Sequence, residues 1–218
     1  MKFEDVLNNR HSTRKFNDEK IDEDVLKKII LDAQKAPSWA NSQPWKVIIA
    51  TGNTLNEIKE NHLKLSRQGI PGNSDMETAH RTEWADNARE NIGGWNTNFF
   101  NHLNKNGLPQ TDYADVQSHL FYASALIYLV VSEPINDWEI FDLGAFSQTL
   151  MLSAANNDIQ SIPAYELVRY PDETRKLLNL ESSEKLLMGI ALGHEKTSKI
   201  NDFRAGRVDT DSILTILD

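Results

Sequence analysis

The chain has no cysteine, which excludes a disulfide framework, thiolate metal ligation and a cysteine nucleophile. Its longest apolar runs, such as Ala125 to Val131, fall far short of the roughly 20 residues that a membrane span needs. The opening Met1-Lys2-Phe3-Glu4-Asp5 lacks an apolar stretch, so no secretory leader is expected and a cytoplasmic location is predicted. There is no G-x-G-x-x-G, no G-x-x-x-x-G-K and no G-x-S-x-G, hence no phosphate loop and no nucleophile elbow. His11, His62, His80, His102, His119 and His194 show no close metal spacing, so no metal site is predicted. Positive charge is also short. With 32 acidic against 23 basic residues the net charge is −9, which argues against nucleic acid and anionic membranes as partners. A phosphate-bearing ligand would need a local cluster of arginine to overcome that background.

What is present fits one substantial core. A length of 218 residues predicts a single domain, 1–218, with the poorly periodic stretch 66–113 as a helical cap or lid within it or a contact with a partner chain. Apolar spacing predicts helices over Phe3–Asn9, Asp22–Gln34, Leu55–Leu65, Leu143–Asn156 and Pro171–Asn179, with Asp22 as an N-cap. Trp45–Ala50, Ala125–Val131 and Leu186–Leu192 read as core strands, the first as a central one, and Ser161–Tyr165 as a short extended piece. Asn156-Asn157-Asp158 suits a left-handed helix end. Within the cap a helix is expected around Glu77–Asn91, and Trp84, Trp95, Phe99 and Phe100 carry more aromatic area than a plain linker needs.

Two stretches have a site's composition. Ala36 to Trp45 carries two tryptophans, Pro37 and Pro44, and the amides Asn41 and Gln43. If the loop is extended, the two amides point the same way and offer paired donors and acceptors to a planar heterocycle. Arg10 to Phe16 likewise places Arg10, Ser12 and Arg14 on one side if extended, two guanidiniums flanking a hydroxyl, which is an anion site. Arg204 and Arg207 form a second close pair. Each stretch alone also fits a solvated linker, turn or tail. Gln148, on an otherwise apolar helix, either faces a ligand or caps a backbone group.

Taken together these residues resemble the flavin-dependent nitroreductases. The resemblance rests on Arg10-His11-Ser12-Thr13-Arg14-Lys15-Phe16, Pro37 to Trp45, Phe141-Asp142-Leu143-Gly144 leading to Gln148-Thr149-Leu150, Gly189 to His194, and Asn201 with Phe203-Arg204 and Arg207. It implies an α+β nitroreductase-like fold, a central mainly antiparallel sheet flanked by helices, and an intertwined homodimer binding FMN at the subunit interface. Arg10, His11, Ser12, Arg204 and Arg207 would serve the phosphate and ribityl end, and Arg14 the pyrimidine edge, where positive charge favours the anionic reduced flavin. Pro37, Ser38, Trp39 and Asn41 would come from the other subunit; Gln148, Pro163, Ala164 and Tyr165 complete the cofactor set, with a backbone N–H near the ring.

The activity implied is NAD(P)H oxidation with ping-pong transfer through flavin N5 to a small electron-poor acceptor such as a nitroaromatic or quinone, with no catalytic side chain. Trp84, Trp95, Phe99 and Phe100 are expected to shape the acceptor pocket. Two residues depart from the family pattern: Asp158 stands where many relatives have glycine, and Trp39 where many have Ser or Thr. A same-fold flavin enzyme that dehalogenates, oxidises or fragments its substrate, and a non-catalytic flavin-binding dimer, are the alternatives.

Overall fold

Strand β2 (Ala125–Ser132) sets the layering. Ala125, Ile127, Leu129 and Val131 face one apolar cluster while Leu126, Tyr128 and Val130 face another, and every residue from Ala125 to Val131 is buried. A strand apolar on both faces needs a covering layer on each. The computed structural model, which describes residues 1–218, supplies both. The sheet runs in the order β1 (Lys46–Ala50), β2, β4 (Glu184–Gly193), β3 (Gln160–Pro163), and all neighbours are antiparallel. Helices α2 (Glu23–Ala33) and α6 (Asp137–Asn156) cover one face through Leu26, Ile29, Ala33, Phe146, Leu150 and Ala154. The opposite face is covered by α3 (Gly52–Arg67), α4 (Asp86–Lys105) and α5 (Gln110–Ser118), through Leu55, Ile58, Phe99, Leu103 and Val116. Helix α1 (Phe3–Asn9) lies against α6, and α7 (Pro171–Leu177) against α3.

Helix-flanked antiparallel architecture is what the family resemblance implied, and Asp158 takes the expected left-handed backbone at φ 58°. Three local expectations change. Strand β1 is an edge strand, since only β2 pairs with it; an apolar run reports which faces are covered and says nothing of the edges. The cap helix is α4 at Asp86–Lys105, not 77–91, because asparagines and Gly93-Gly94 mask a core stripe of Trp95, Phe99 and Leu103 spaced four apart. Helix α6 begins at Asp137 rather than Leu143. Asn136 caps it, its side chain accepting from the N–H groups of Trp138 and Glu139 while the Glu139 carboxylate accepts from the Asn136 N–H at 2.9 Å.

Close approach at β4 brings the later site segment onto the sheet. A Cβ on Gly189 would lie 2.3 Å from Leu167 Cβ, and Leu167 belongs to the 3-10 turn Tyr165–Val168 that follows β3. Gly189→Ala is therefore expected to destabilise the fold by about 1–3 kcal/mol through overpacking. Urea unfolding reads this as a lower midpoint at unchanged slope; an unshifted midpoint would show that the turn is free to move away.

Candidate functional site

The segment Arg10–Phe16 lies beside β3 and the chain that leaves β4. Ser12 forms a parallel bridge with Ser161 and Phe16 an antiparallel one with Glu195, while the Thr13 N–H donates to the Ser161 carbonyl at 3.1 Å and the Lys196 N–H to the Lys15 carbonyl at 3.1 Å. Asn201, fully buried, fixes the register. Its Oδ1 accepts from the backbone N–H groups of Arg14 (2.7 Å) and Lys15 (3.0 Å), and its Nδ2 donates to the carbonyls of Lys15 (2.7 Å) and Lys196 (2.9 Å). All the hydrogen-bonding capacity of this amide is used on backbone.

That arrangement gathers the arginines. Arg10 and Arg204 line a cavity of about 280 Å³ with His11, Gln160, Ser161 and Glu195. Burial and the facing Arg207 push Arg10 below the ordinary arginine value; burial does the same to Arg14, opposed by Tyr113 and reinforced by Arg204. Arg89, Arg169 and Arg175 are ion-paired with carboxylates, whereas Arg10, Arg14, Arg204 and Arg207 bond only to backbone carbonyls or to none. In a chain of net charge −9, such self-repelling positive charge is relieved by an anion, best of all a dianion.

His11 and Arg14 are engaged inside the chain. The His11 ring places Nδ1 2.8 Å from the Asn9 carbonyl and Nε2 2.8 Å from Glu195 Oε2, so both ring nitrogens are occupied and Glu195 has a basic partner at the cavity wall. Arg14 is only 5% exposed. Its guanidinium sits among Phe99, Phe203 and Trp95, its Nη1 donates to the Ser12 carbonyl at 3.1 Å, and its buried Nε has no partner.

Loop 36–45 forms a second group at the start of α6. The Trp39 N–H donates to the buried Asp142 carboxylate at 3.0 Å, and Ser38 Oγ accepts from the Gln43 N–H at 3.0 Å. Ala40, Asn41 and Gln43 have φ of 46°, 60° and 47°. The loop is thus a left-handed turn and not extended, and Asn41 and Gln43 do not alternate as a strand would place them; non-glycine residues held in this region store strain, of order 1–3 kcal/mol each. Trp39 packs on Trp138 of α6 with ring centroids 4.5 Å apart, and both remain more than half exposed, as does Phe141. Pro37 is exposed nearby, and Gln148 stands exposed on α6 rather than capping a backbone group.

A third piece follows β3. Pro163 ends the strand, and the Ala164 N–H donates to the Gly189 carbonyl at 3.1 Å. Any backbone amide offered to a ligand here is therefore that of Tyr165 or Glu166, ahead of the turn's first internal bond from the Leu167 N–H to the Ala164 carbonyl. Of the aromatics expected at an acceptor pocket, Phe99 is fully buried, Trp95 and Phe100 are half-buried, and Trp84 is exposed with its indole N–H on the Ala79 carbonyl.

The family model described as nitroreductase family matches residues 7–194, which takes in these segments up to the end of β4 and leaves out Glu195, Asn201 and the final arginines. The chain belongs to the nitroreductase family. It is 26% identical over 218 residues to a 4-nitrobenzoate reductase of Pseudomonas putida, covering 94% of this chain and 91% of that one. It is 25% identical to nitroreductase NfnB of Mycolicibacterium smegmatis, covering 94% and 88%. Among solved structures, the FMN-dependent nitroreductase NfnB from Mycobacterium smegmatis in complex with NADPH superposes with a TM-score of 0.90 at 24% identity, covering 99% of this chain and 97% of that one. At that identity the likeness establishes the shared nitroreductase fold.

Three contributors went unread in the sequence. Asp142 stood in the motif Phe141-Asp142-Leu143-Gly144, but nothing in the sequence gave it the Trp39 N–H as a partner. Glu195 directly follows a core strand, where an acid looks like surface. Tyr113 has no periodic pattern around it. For Asn201 the expected outcome is sharp: Asn201→Ala leaves buried backbone donors and acceptors unpaired and should cost about 3 kcal/mol. Thermal melts of the purified protein check it, and a loss under one kcal/mol would mean that water replaces the amide.

Proposed function

We propose that this nitroreductase-family chain is an FMN-dependent NAD(P)H oxidoreductase that passes two electrons to nitroaromatic or quinone acceptors and works as an intertwined homodimer. The observation that carries the reading is the convergence of Arg10, Arg14, Arg204 and Arg207 with no carboxylate partner, beside the cavity that Ser161 and Gln160 line. The donor set fits FMN. Arg10, Arg204 and Arg207, with Ser12, would hold the phosphate, and the unpartnered Nε of Arg14 offers a buried cation for the pyrimidine edge. His11 contributes by hydrogen-bonding the Glu195 carboxylate, which leaves the surrounding arginines for the dianion. Pro163, Ala164 and Tyr165 would flank the ring, with the amide of Tyr165 or Glu166 as donor.

When bound, FMN supplies the redox chemistry, taking a hydride from NAD(P)H and delivering electrons to the acceptor. The chain's own work is orientation, charge and exclusion of water, and no side chain is assigned as acid, base or nucleophile. One open face serving both substrates in turn gives ping-pong kinetics. Nitroaromatic acceptors are favoured by relatives named for 4-nitrobenzoate, chloronitrobenzene and nitrobenzene.

Support for the dimer comes from surfaces that a lone chain leaves open. β1 has one unpaired edge, and Val208, Ile213, Leu214, Ile216 and Leu217 of the C-terminal segment are exposed. Trp138, Ile140 and Phe141 on α6 are exposed as well. Unpaired strand edges and contiguous apolar patches are costly to leave in water, and tails exchanged between two copies would cover both. The same pairing would bring Pro37, Ser38, Trp39 and Asn41 of one copy, with Gln148 on the adjoining helix, to the arginines of the other.

Purified protein is expected to be yellow, to release FMN on heating, and to bleach with NADH or NADPH and recolour with nitrofurazone or menadione. Flavin that bleaches but turns over with neither acceptor would point to another reaction class within the fold. Arg10→Ala combined with Arg207→Ala should abolish FMN retention while circular dichroism stays unchanged; stoichiometric flavin in that variant refutes the phosphate assignment. Removing residues 208–218 should convert a dimer to a monomer by light scattering, and an unchanged mass would refute the exchanged tail.

A further inference from the structure

Arg14 is the one buried arginine or lysine of the chain, and the box around it comes from three separate elements. Its guanidinium carbon lies 4.9 Å from the Phe99 ring centroid, 5.2 Å from Phe203 and 5.9 Å from Trp95. The rings brace one another: Trp95 stacks on Phe99 at 5.2 Å, and Phe99 meets Phe203 edge-on at 5.0 Å and Tyr113 at 4.7 Å. Tyr113 closes the box edge-on against Phe99, and burial raises its phenol's titration while the neighbouring Arg14 opposes that rise. Ring faces attract a cation, and a guanidinium is the cation that tolerates such a place, being planar, weakly hydrated and always protonated. The desolvation is nevertheless not repaid within the chain, because no carboxylate is in reach and Nε is unpartnered. Trp95 and Phe99 belong to α4 and Tyr113 to α5, the excursion that could have served as lid or as dimer contact.

We propose that Trp95, Phe99 and Tyr113 are positioning residues: they hold the charge of Arg14 fixed and dry against the bound cofactor, and so set how strongly the site prefers reduced over oxidised FMN. This rests on the FMN assignment above. A cation acts far more strongly from dry surroundings than from water, because the effective dielectric there is lower. Reduction adds negative charge to the cofactor, so loosening the box weakens the reduced complex more than the oxidised one. The cap helices thereby influence electron transfer without touching the acceptor.

The test uses the holoenzyme with Tyr113→Phe and Trp95→Leu, each made alone and in an Arg14→Gln background. Binding of oxidised FMN is read by fluorescence titration after flavin removal, and the midpoint potential by spectroelectrochemistry. Each single variant should bind oxidised FMN within about threefold of the parent but reduced FMN roughly tenfold more weakly, a midpoint lowered by about 30 mV for a two-electron couple. In the Arg14→Gln background neither substitution should move the potential further, as a shared pathway requires. Unmoved potentials in both single variants overturn the proposal, as does an equal shift with and without Arg14, which is what a merely structural role gives. If Trp95→Leu does not fold, Tyr113→Phe, which removes one oxygen, carries the comparison. A parent protein that takes up no FMN refutes the functional assignment, and this inference with it, before any variant is made.

Discussion

The side chain of Asn201 holds the two ends of the chain together, and the rest of the site depends on it. Its amide bonds backbone groups up to 187 positions away, in addition to the bridges that Ser12 and Phe16 make. That clamp ties the segment carrying Arg10 and Arg14 to the one carrying Arg204 and Arg207. With it, guanidiniums that repel one another are kept close, an arrangement whose cost is met by buried hydrogen bonds elsewhere. A fully satisfied amide suits this task better than an ion pair, since a carboxylate in the same place would have neutralised the arginines.

In the proposed dimer each site would draw on two chains. The arginine group and the Trp39 loop are built on different elements, the former on β3, β4 and the tail, the latter on the start of α6. Hydrogen bonds and ring contacts of Trp39 run to Asp142 and Trp138, while those of Arg14 run to Ser12, Trp95, Phe99 and Phe203. In the proposed dimer a second copy would present its loop to a ligand that carries an anion at one end and a planar heterocycle at the other. The proposed exchange of tails and the composite site would be one arrangement seen from two sides.

How much of this could be read from the residues divides along a physical line. Apolar period two and three-to-four gave β2, β4, α1 and α2 close to their observed bounds, because burial on a face writes itself into local order. The edge position of β1 and the true start of α4 were not readable that way. Pairing on an edge leaves no trace in side-chain alternation, and the α4 stripe of Trp95, Phe99 and Leu103 is diluted by asparagine and glycine. The gathering of Arg10 with Arg204 and Arg207 was expected only through resemblance to a family, since no rule of spacing joins residues at opposite ends of a chain. Tyr113 and the closing of the box on Arg14 were invisible for the same reason.

Charge distribution ties the site to the whole molecule. An excess of nine negative charges lowers the affinity of polyanions for the surface at large, since a nucleic acid or anionic membrane must approach across many repulsive contacts. A small anion that reaches the arginine cavity meets the opposite balance, because there the only facing carboxylate beside Asp158 is Glu195, and His11 already occupies it. Selectivity for a compact dianion over an extended one follows without any residue dedicated to rejection. Arg14 lies further inward, surrounded by rings instead of carboxylates, so no acid within the chain neutralises its charge.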